Sequence, residues 1–515
     1  DHLPELADRV NQPGPLGVLA RASVAAALLL PSTLCIGASF PFAVRALCDR
    51  AEAAATASAR VYAWNTLGAI VGSLAAGFVV IPALGFERTL VATAGLNLVA
   101  AALAACALRP LEWRVLALAG ATALVLVGVQ PRTPWVVIGT GPLALDTRRE
   151  RGTDVNPDKI VFYGVGRSST VLLAEESDGW RLRNNGLPEA TIERPGVVPH
   201  SSLTARWLVM LPAFAPLPPR DLLVIGLGGG VGLEEAPDGF ERIDVVELEP
   251  EVLEANRFVA ERRNRNPLAD PRLRVLLNDA RGALTLTELR YGAIVSQPSH
   301  PWTAGASHLY TRDFFEQVRE RLAPGGVFVQ WMGLQFVDER LFRSLIATLL
   351  DVFPYVRLYQ PDWGSVLFVA SSEALELESQ VEEVVARDPE RFARLGVRVR
   401  EDLAATFVLD EAGARAVSKD APIVTDDQNL FATHSPRVLA RPIASVDRLL
   451  APHDPLVGRS EGLDVLYLVH RLVQMRRLPR AERIANRLEN PAERLLAQAD
   501  VALARREPIK ALDLA

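Results

Sequence analysis

The segment from Asp221 to Gly232 reads Asp-Leu-Leu-Val-Ile-Gly-Leu-Gly-Gly-Gly-Val-Gly. An apolar strand running into Gly226, Gly228 and Gly230 lets backbone approach a ligand closely, and a short helix after it offers open N–H groups. The next apolar run, Ile243 to Leu248, carries Glu247, 21 residues after Gly226. An acid at that offset is placed to accept hydrogen bonds from ribose hydroxyls. A glycine-rich turn beside a surface glutamate is the plainer alternative. A third run, Leu273 to Leu277, ends at Asn278-Asp279-Ala280-Arg281. There Asp279 either faces an adenine amino group or caps a helix. A fourth, Tyr291 to Val295, leads into Ser296-Gln-Pro-Ser-His-Pro-Trp302. His300 in that stretch is either a base near neutral pH or part of a loop cap. Trp302 and Tyr310 nearby are an apolar wall for an acceptor or part of the core.

These residues need a scaffold that brings strand ends together. Helical patterns at Val252–Arg263 and Tyr310–Leu322 alternate with the runs, and Gly326–Trp331 reads as a fifth strand. That alternation predicts a doubly wound parallel α/β sheet with its ligand at the carboxyl ends of the strands. Ahead of it, Lys159–Tyr163, Ser169–Glu175 and Trp180–Arg183 read as short strands. Asp178-Gly179 is a hairpin turn signal, giving a small β subdomain over residues 150–195.

Residues 15–131 are nearly free of charge, in a chain that is 49% hydrophobic with a mean hydropathy of +0.16. Ala22–Val44, Val61–Phe86 and Thr89–Leu108 are each long enough to cross about 30 Å of hydrocarbon, and Val115–Gln130 is a marginal fourth span. One such run could be a buried soluble helix; three in succession point to a bilayer. Gly68, Gly72 and Ala76 recur every four residues, as close helix packing in lipid requires or as general Gly/Ala richness produces. No charge sits mid-span, which argues against an ion path. Net charge is −6 and no basic run occurs, so nucleic acid is not an expected partner. Cys35, Cys48 and Cys106 form no metal-binding or disulfide pattern, and no metal is expected.

Taken together, Ile225–Gly232, Val245–Pro250, Asp270–Arg281, Pro298–Phe315 and Arg321–Trp331 resemble the spermidine synthase family of the class I methyltransferase-like fold. The resemblance covers roughly Lys159 to Ser371. Val61–Ser73 and Ile81–Gly85 resemble the multi-span segment fused ahead of this domain in bacterial membrane-bound members, which carry more spans; a longer N-terminus is therefore expected. The resemblance implies an S-adenosyl nucleoside, S-adenosylmethionine or its decarboxylated form, held by Gly226, Gly228, Gly230, Glu247 and Asp279. It implies transfer of an aminopropyl group to a diamine, in polyamine biosynthesis. The family's Asp-Ser-Ser-Asp-Pro is here Gln297-Pro298-Ser299-His300-Pro301, and the acid of the family's glycine loop is Gly229. Gln297 and His300 stand at the family's acidic catalytic positions, so putrescine, a dication, is not the expected acceptor. Loss of carboxylates at 229 and 297 favours intact S-adenosylmethionine. Three functions stay open: an aminopropyl-type transferase, a methyltransferase, or a non-catalytic adenosyl-binding or scaffolding module.

The expected order is transmembrane helices over 1–131, the β subdomain over 150–195, the α/β domain over 196–371, an accessory region over 372–460 and a helical tail over 461–515. Thr425-Asp426-Asp427 also resembles an element of the fused group, and His434 near it reads as structural. Ala497–Ala515 resembles part of a tetratricopeptide-type helix pair, with an amphipathic hairpin as the alternative. Expected partners are a lipid bilayer, an unidentified small-molecule acceptor, a protein bound through the C-terminal helices, and a second copy in a homodimer. A bacterial inner membrane with the soluble domain on the cytoplasmic side is expected, although arginines flank the apolar runs on both sides.

Overall fold

The computed structural model describes residues 15–48, 54–107, 113–128, 156–166, 168–197, 203–301, 303, 305–334, 337–438, 446–457 and 462–506. The chain divides into two compact units, one of residues 1–176 and 181–188, the other of 177–180 and 189–515.

The first unit holds the apolar helices α1 (Pro15–Leu47), α2 (Ala54–Ala75), α3 (Ile81–Ala107) and α4 (Trp113–Gly128). A π-turn, Ala76–Val80, joins α2 to α3, and Gly85 breaks the helical path with φ 74° and ψ 172°. The charge-free runs fall on these helices, and their large side chains face outward. Ile36, Phe42, Trp64, Leu96 and Leu124 are each more than half exposed. Gly68, Gly72 and Gly77 have open space where a Cβ would stand, so no element among the described residues is seated on that stripe. Strands β1 (Ile160–Val165) and β2 (Thr170–Glu175) pair antiparallel in the same unit. With β3 (Gly179–Asn184) and β4 (Leu187–Glu193) they make a sheet of order β1-β2-β3-β4, and the division between the units falls within its last two strands. Strand β4 was not anticipated, because Pro188 and two glutamates interrupt the apolar alternation. The turn before it carried a signal all the same: Asn185 and Gly186 both take positive φ, at 50° and 79°, as a two-residue Asn-Gly hairpin requires.

The second unit is built on an eight-stranded sheet of order β12-β10-β11-β9-β8-β5-β6-β7. Its parallel strands are β5 (Asp221–Ile225), β6 (Arg242–Glu247), β7 (Leu273–Leu277), β8 (Tyr291–Ser296) and β9 (Leu322–Gly333). The helices α5 (Leu203–Met210), α6 (Pro250–Phe258), α7 (Ala280–Leu286), α8 (Arg312–Arg321) and α9 (Glu339–Val352) accompany them. The sheet is mixed rather than wholly parallel. Strands β10 (Tyr355–Tyr359), β11 (Ser365–Ser371) and β12 (Phe407–Leu409) add antiparallel at one edge, where the short connection over residues 360–364 returns β11 alongside β10 with no helix between them. The core centres on Phe328 of β9, fully buried, with the rings of Phe314, Phe315 and Phe353 at centroid distances of 6.4, 5.7 and 5.9 Å.

The tail folds as α10 (Val465–Gln474), α11 (Leu478–Ala485) and α12 (Pro491–Ala504). Its apolar face does not wait for further repeats: Leu468, Leu472, Ile484 and Val501 close against Ala404, Ala405 and Leu456. Arg480 anchors it, donating to the carbonyls of Ala405 and Phe407 and pairing with Asp454 at 2.7 Å. The part of the expected repeat beyond residue 506 lies outside the described residues.

Truncating Phe328 to alanine removes the ring that three others pack on, and should cost about 3–5 kcal/mol. Denaturant unfolding of the Phe328→Ala protein measures this. A midpoint unchanged from the parent chain would contradict the placement of the core.

Candidate functional site at the carboxyl edge of the sheet

The glycine loop leaves β5 with Gly226, Gly228 and Gly230 at φ +93°, +50° and +67°. A side chain at 226 would meet the Gln297 carbonyl oxygen at 2.6 Å, whereas the space beside Gly228 is open. The short helix expected after the loop is a single 3-10 turn, Val231–Glu235. It is closely packed: a Cβ on Gly232 would stand 2.5 Å from the Ala205 carbonyl oxygen, and Glu234 lies in a buried ion cluster. A dipole-based anion cradle is therefore not what this loop presents.

The loop is held from behind. Asn256 donates to the Gly228 carbonyl at 2.8 Å, and Arg263 donates to that of Gly229 at 2.7 Å. Arg263 pairs with Glu234 at 2.6 Å, Glu234 with Arg206 at 2.8 Å, and Arg206 with Glu193 of β4 at 3.1 Å. All four side chains are at most 3% exposed. The cluster thus ties β4 to the loop, and the fit is close. A Cβ on Gly229 would stand 2.7 Å from Ala190 Cβ and 3.0 Å from Ile192 Cγ1.

Glu247 ends β6 and is buried. Its Oε2 accepts from the Leu227 N–H at 2.9 Å and its Oε1 from the Glu249 N–H at 3.0 Å. Burial pushes this carboxyl up, and the nearby backbone N–H groups, foremost the two bonded ones of Glu249 and Leu227, pull against that. Two accepted bonds leave lone pairs on a carboxylate that can accept about four. Asp279 is the N-cap of α7: its Oδ1 accepts from Arg281 and Gly282, both at 3.0 Å, and its side chain is exposed.

Gln297 continues the β5–β8 pairing, its N–H donating to the Ile225 carbonyl at 3.0 Å. The His300 ring is 4% exposed and lies 6.1 Å from that of Trp331. Tyr310 belongs to the core, fully buried with its ring 5.2 Å from Phe431. Trp302 lies outside the described residues.

Glu189 of β4 is the residue that sequence reading missed. Ser299 donates to its Oε1 at 2.5 Å, across 110 residues of chain. Burial pushes its carboxyl up to about 7, the Ser299 hydroxyl opposes this, and the Glu247 charge adds to it. The Asn185-Gly186 turn was the available signal, since it implies a strand carrying Glu189 toward the sheet edge.

Asp426 closes the same edge. It pairs with Arg281 at 2.7 Å and accepts from Thr311 at 2.9 Å, with His308 Nδ1 at 3.3 Å. Burial would raise its carboxyl, but these donors outweigh that and hold it below the usual range. His434 has a polar partner, its Nε2 lying 2.9 Å from Asp338 Oδ2. Among the described residues no cluster of three or more metal-binding side chains occurs.

Placing an acid back at 229 meets the Ala190 wall. Gly229→Asp should destabilise the protein by about 1–3 kcal/mol through overpacking, and adding Ala190→Gly should recover most of it. Denaturant midpoints of the single and double variants test this; a single variant as stable as the parent would refute the tight fit.

Residues 203–362 match the Spermine/spermidine synthase domain. A polyamine aminopropyltransferase of Synechococcus sp. (strain JA-3-3Ab) is 33% identical over 251 residues, 46% of this chain and 80% of the relative. Polyamine aminopropyltransferase 2 of Pseudomonas aeruginosa is 30% identical over 282 residues, 52% of this chain and 78% of the relative. The Mycobacterium tuberculosis polyamine aminopropyltransferase is 27% identical over 358 residues, 64% of each chain. A solved spermidine synthase in complex with the transition-state analogue AdoDATO aligns with 51% of this chain and 88% of its own, at 20% identity and a TM-score of 0.43. With the glycine loop, Glu247 and the strand order in place at the sheet's carboxyl edge, the chain belongs to the polyamine aminopropyltransferase family of transferases.

Proposed function

We propose that this chain is a membrane-anchored aminopropyltransferase. It takes decarboxylated S-adenosylmethionine as donor and an amine other than putrescine as acceptor. The observation that carries the donor reading is Glu247: a buried carboxylate at the end of β6 that already binds the loop's Leu227 N–H, beside open space at Gly228. A ribose hydroxyl pair on its remaining lone pairs would sit over the loop. The missing acids at 229 and 297 favoured the intact donor on sequence grounds. Glu189 reverses that inference, because it supplies a carboxyl beside the loop. A carboxylate there repels the carboxylate of S-adenosylmethionine, a group its decarboxylated form lacks.

The acceptor follows from charge. Putrescine brings two ammonium groups, and each needs a partner in a dry site. Gln297 and Gly229 offer no negative charge, and Glu247 is engaged by backbone. Glu189 alone is left to meet one cation, which suits a monoamine.

Isothermal titration with each nucleoside tests the donor. Glu247→Ala should weaken binding of decarboxylated S-adenosylmethionine about ten- to a hundredfold, the equivalent of a lost charge-assisted hydrogen-bond pair. Purified chain should transfer aminopropyl groups to a simple monoamine faster than to putrescine. Tighter binding of intact S-adenosylmethionine with methyl transfer, or faster turnover of putrescine, would overturn this reading.

The anchoring rests on the exposed apolar helices. Leu29–Leu47 contains an 18-residue stretch of mean hydropathy 1.3, and the 53-residue Ala54–Cys106 one of 2.2. At 1.5 Å per residue the latter would run about 80 Å, far beyond one hydrocarbon core, and Gly85 divides it into two passes. Carbonate extraction should leave the chain in the membrane pellet; release into the supernatant would refute the anchoring.

A further inference from the structure

The family's acids are absent from the two loops that flank the ligand position, yet the cleft is not without a carboxyl group. We propose that Glu189 is the acid–base residue of this site: its carboxylate receives the acceptor's ammonium group and takes its proton. The inference deepens the reading above and rests on it for the identity of the donor.

Geometry carries the assignment. Strand β4 lies against the glycine loop, since a Cβ on Gly229 would be 2.7 Å from that of Ala190. Glu189, the preceding residue, is bonded through Oε1 to Ser299, in the loop that bears Gln297 and His300. Among the described residues its Oε2 has no hydrogen-bond partner, so one oxygen is available to a ligand. Strand β4 therefore meets the glycine loop through Ala190 and the loop after β8 through Glu189. The Arg206–Glu193–Glu234–Arg263 cluster holds the far end of β4 in register.

The groups facing Glu189 suit it to the task. Glu247, at the end of β6, repels its negative charge, and Ser299 stabilises that charge by donation. Tyr310 below it is held neutral, its phenol pushed well up by burial and by the Glu189 charge. His300, in the same loop as Ser299, has its ring buried beside Trp331. The balance leaves the Glu189 carboxyl at about 7. A primary ammonium near 10.4 gives up its proton to such a group against about 3 units, and to an ordinary carboxylate against about 6.

The step balances as follows. The bound acceptor ammonium gives one proton to Glu189, freeing its nitrogen lone pair. That pair attacks the propyl carbon bonded to the donor's sulfonium, forming C–N. The C–S bond breaks with its electrons going to sulfur, which leaves as a neutral thioether nucleoside. The product departs as an ammonium ion, and Glu189 returns its proton to water.

Glu189→Gln and Glu189→Asp test this, with butylamine as acceptor. In the parent chain log kcat/KM for butylamine should rise through pH 7 and then level, because Glu189 is the base and is ionised above that point. In Glu189→Gln the value at pH 8 should fall about 10²- to 10⁴-fold. The levelling near pH 7 should vanish, leaving a rise that continues toward the amine's own pKa. Glu189→Asp should recover part of the rate. 5′-Methylthioadenosine should bind the glutamine variant within about threefold of the parent, a change under 1 kcal/mol, showing the nucleoside site intact. Butylamine binding, followed by NMR without any donor, should be tighter at pH 8 than at pH 6 in the parent and equal at both in Glu189→Gln. That measurement separates the two claims. If no transfer occurs but the pH-dependent amine binding is lost with Glu189, the amine site stands and the donor reading fails. If Glu189→Gln keeps the parent's rate and pH profile, or binds butylamine as the parent does at both pH values, the assignment of Glu189 is wrong.

Discussion

The site depends on a charge cluster that never meets solvent. Arg206, Glu193, Glu234 and Arg263 are two cations and two anions, each at most 3% exposed. Dehydrating each of them costs several kcal/mol, and their mutual attraction offsets this only when the geometry is good. What the cluster supplies is registry. Through Arg263 it reaches the Gly229 carbonyl, and through Arg206 it reaches β4. Burial lowers the proton affinity of Arg263, while Glu234 and Glu193 work to keep it charged. Removing any one member leaves an uncompensated charge in the interior, so the four act as one unit.

That registry explains the residue at 229. With β4 drawn close, no side chain fits between the loop and Ala190. A carboxyl inside the glycine loop at 229 has no room here, and β4 places one nearby at Glu189. Position 229 and position 189 are consequently one structural choice: close contact of β4 excludes the first acid and delivers the second. Ser299, in the loop where the family's other acids are replaced, then becomes the partner of Glu189.

The accessory region is joined to the same edge. Asp426 gathers Arg281 from α7 together with Thr311 and His308 from the turn ahead of α8. Asp279, the cap of α7, therefore stands on a helix start braced by a residue almost 150 positions later. The tail helices are joined to the region through Arg480 and Asp454. Residues beyond the sheet thus contribute to the rigidity of the ligand edge without lining it.

By itself the sequence determined whatever depends on local pattern. Strand β7 reads directly from Leu273–Leu277, because five apolar or alternating residues between turn signals admit no other element. Gly226, Gly228 and Glu247 stand out because a glycine-rich turn after one strand and an acid at the end of the next form a pattern at a definite offset. The apolar helices are legible because length and absence of charge suffice. Three things were decided only by the tertiary structure. The short helix after the loop is a 3-10 turn packed so closely that a Cβ on Gly232 would stand 2.5 Å from the Ala205 carbonyl oxygen, with Glu234 paired to two buried arginines. The edge of the sheet turns antiparallel. Glu189 joins the site: the Asn185-Gly186 turn signals its strand, but nothing in the chain marks the residue itself. Its proton affinity comes from burial and from Glu247, 58 residues away in sequence, and such a shift exists only once the chain has folded.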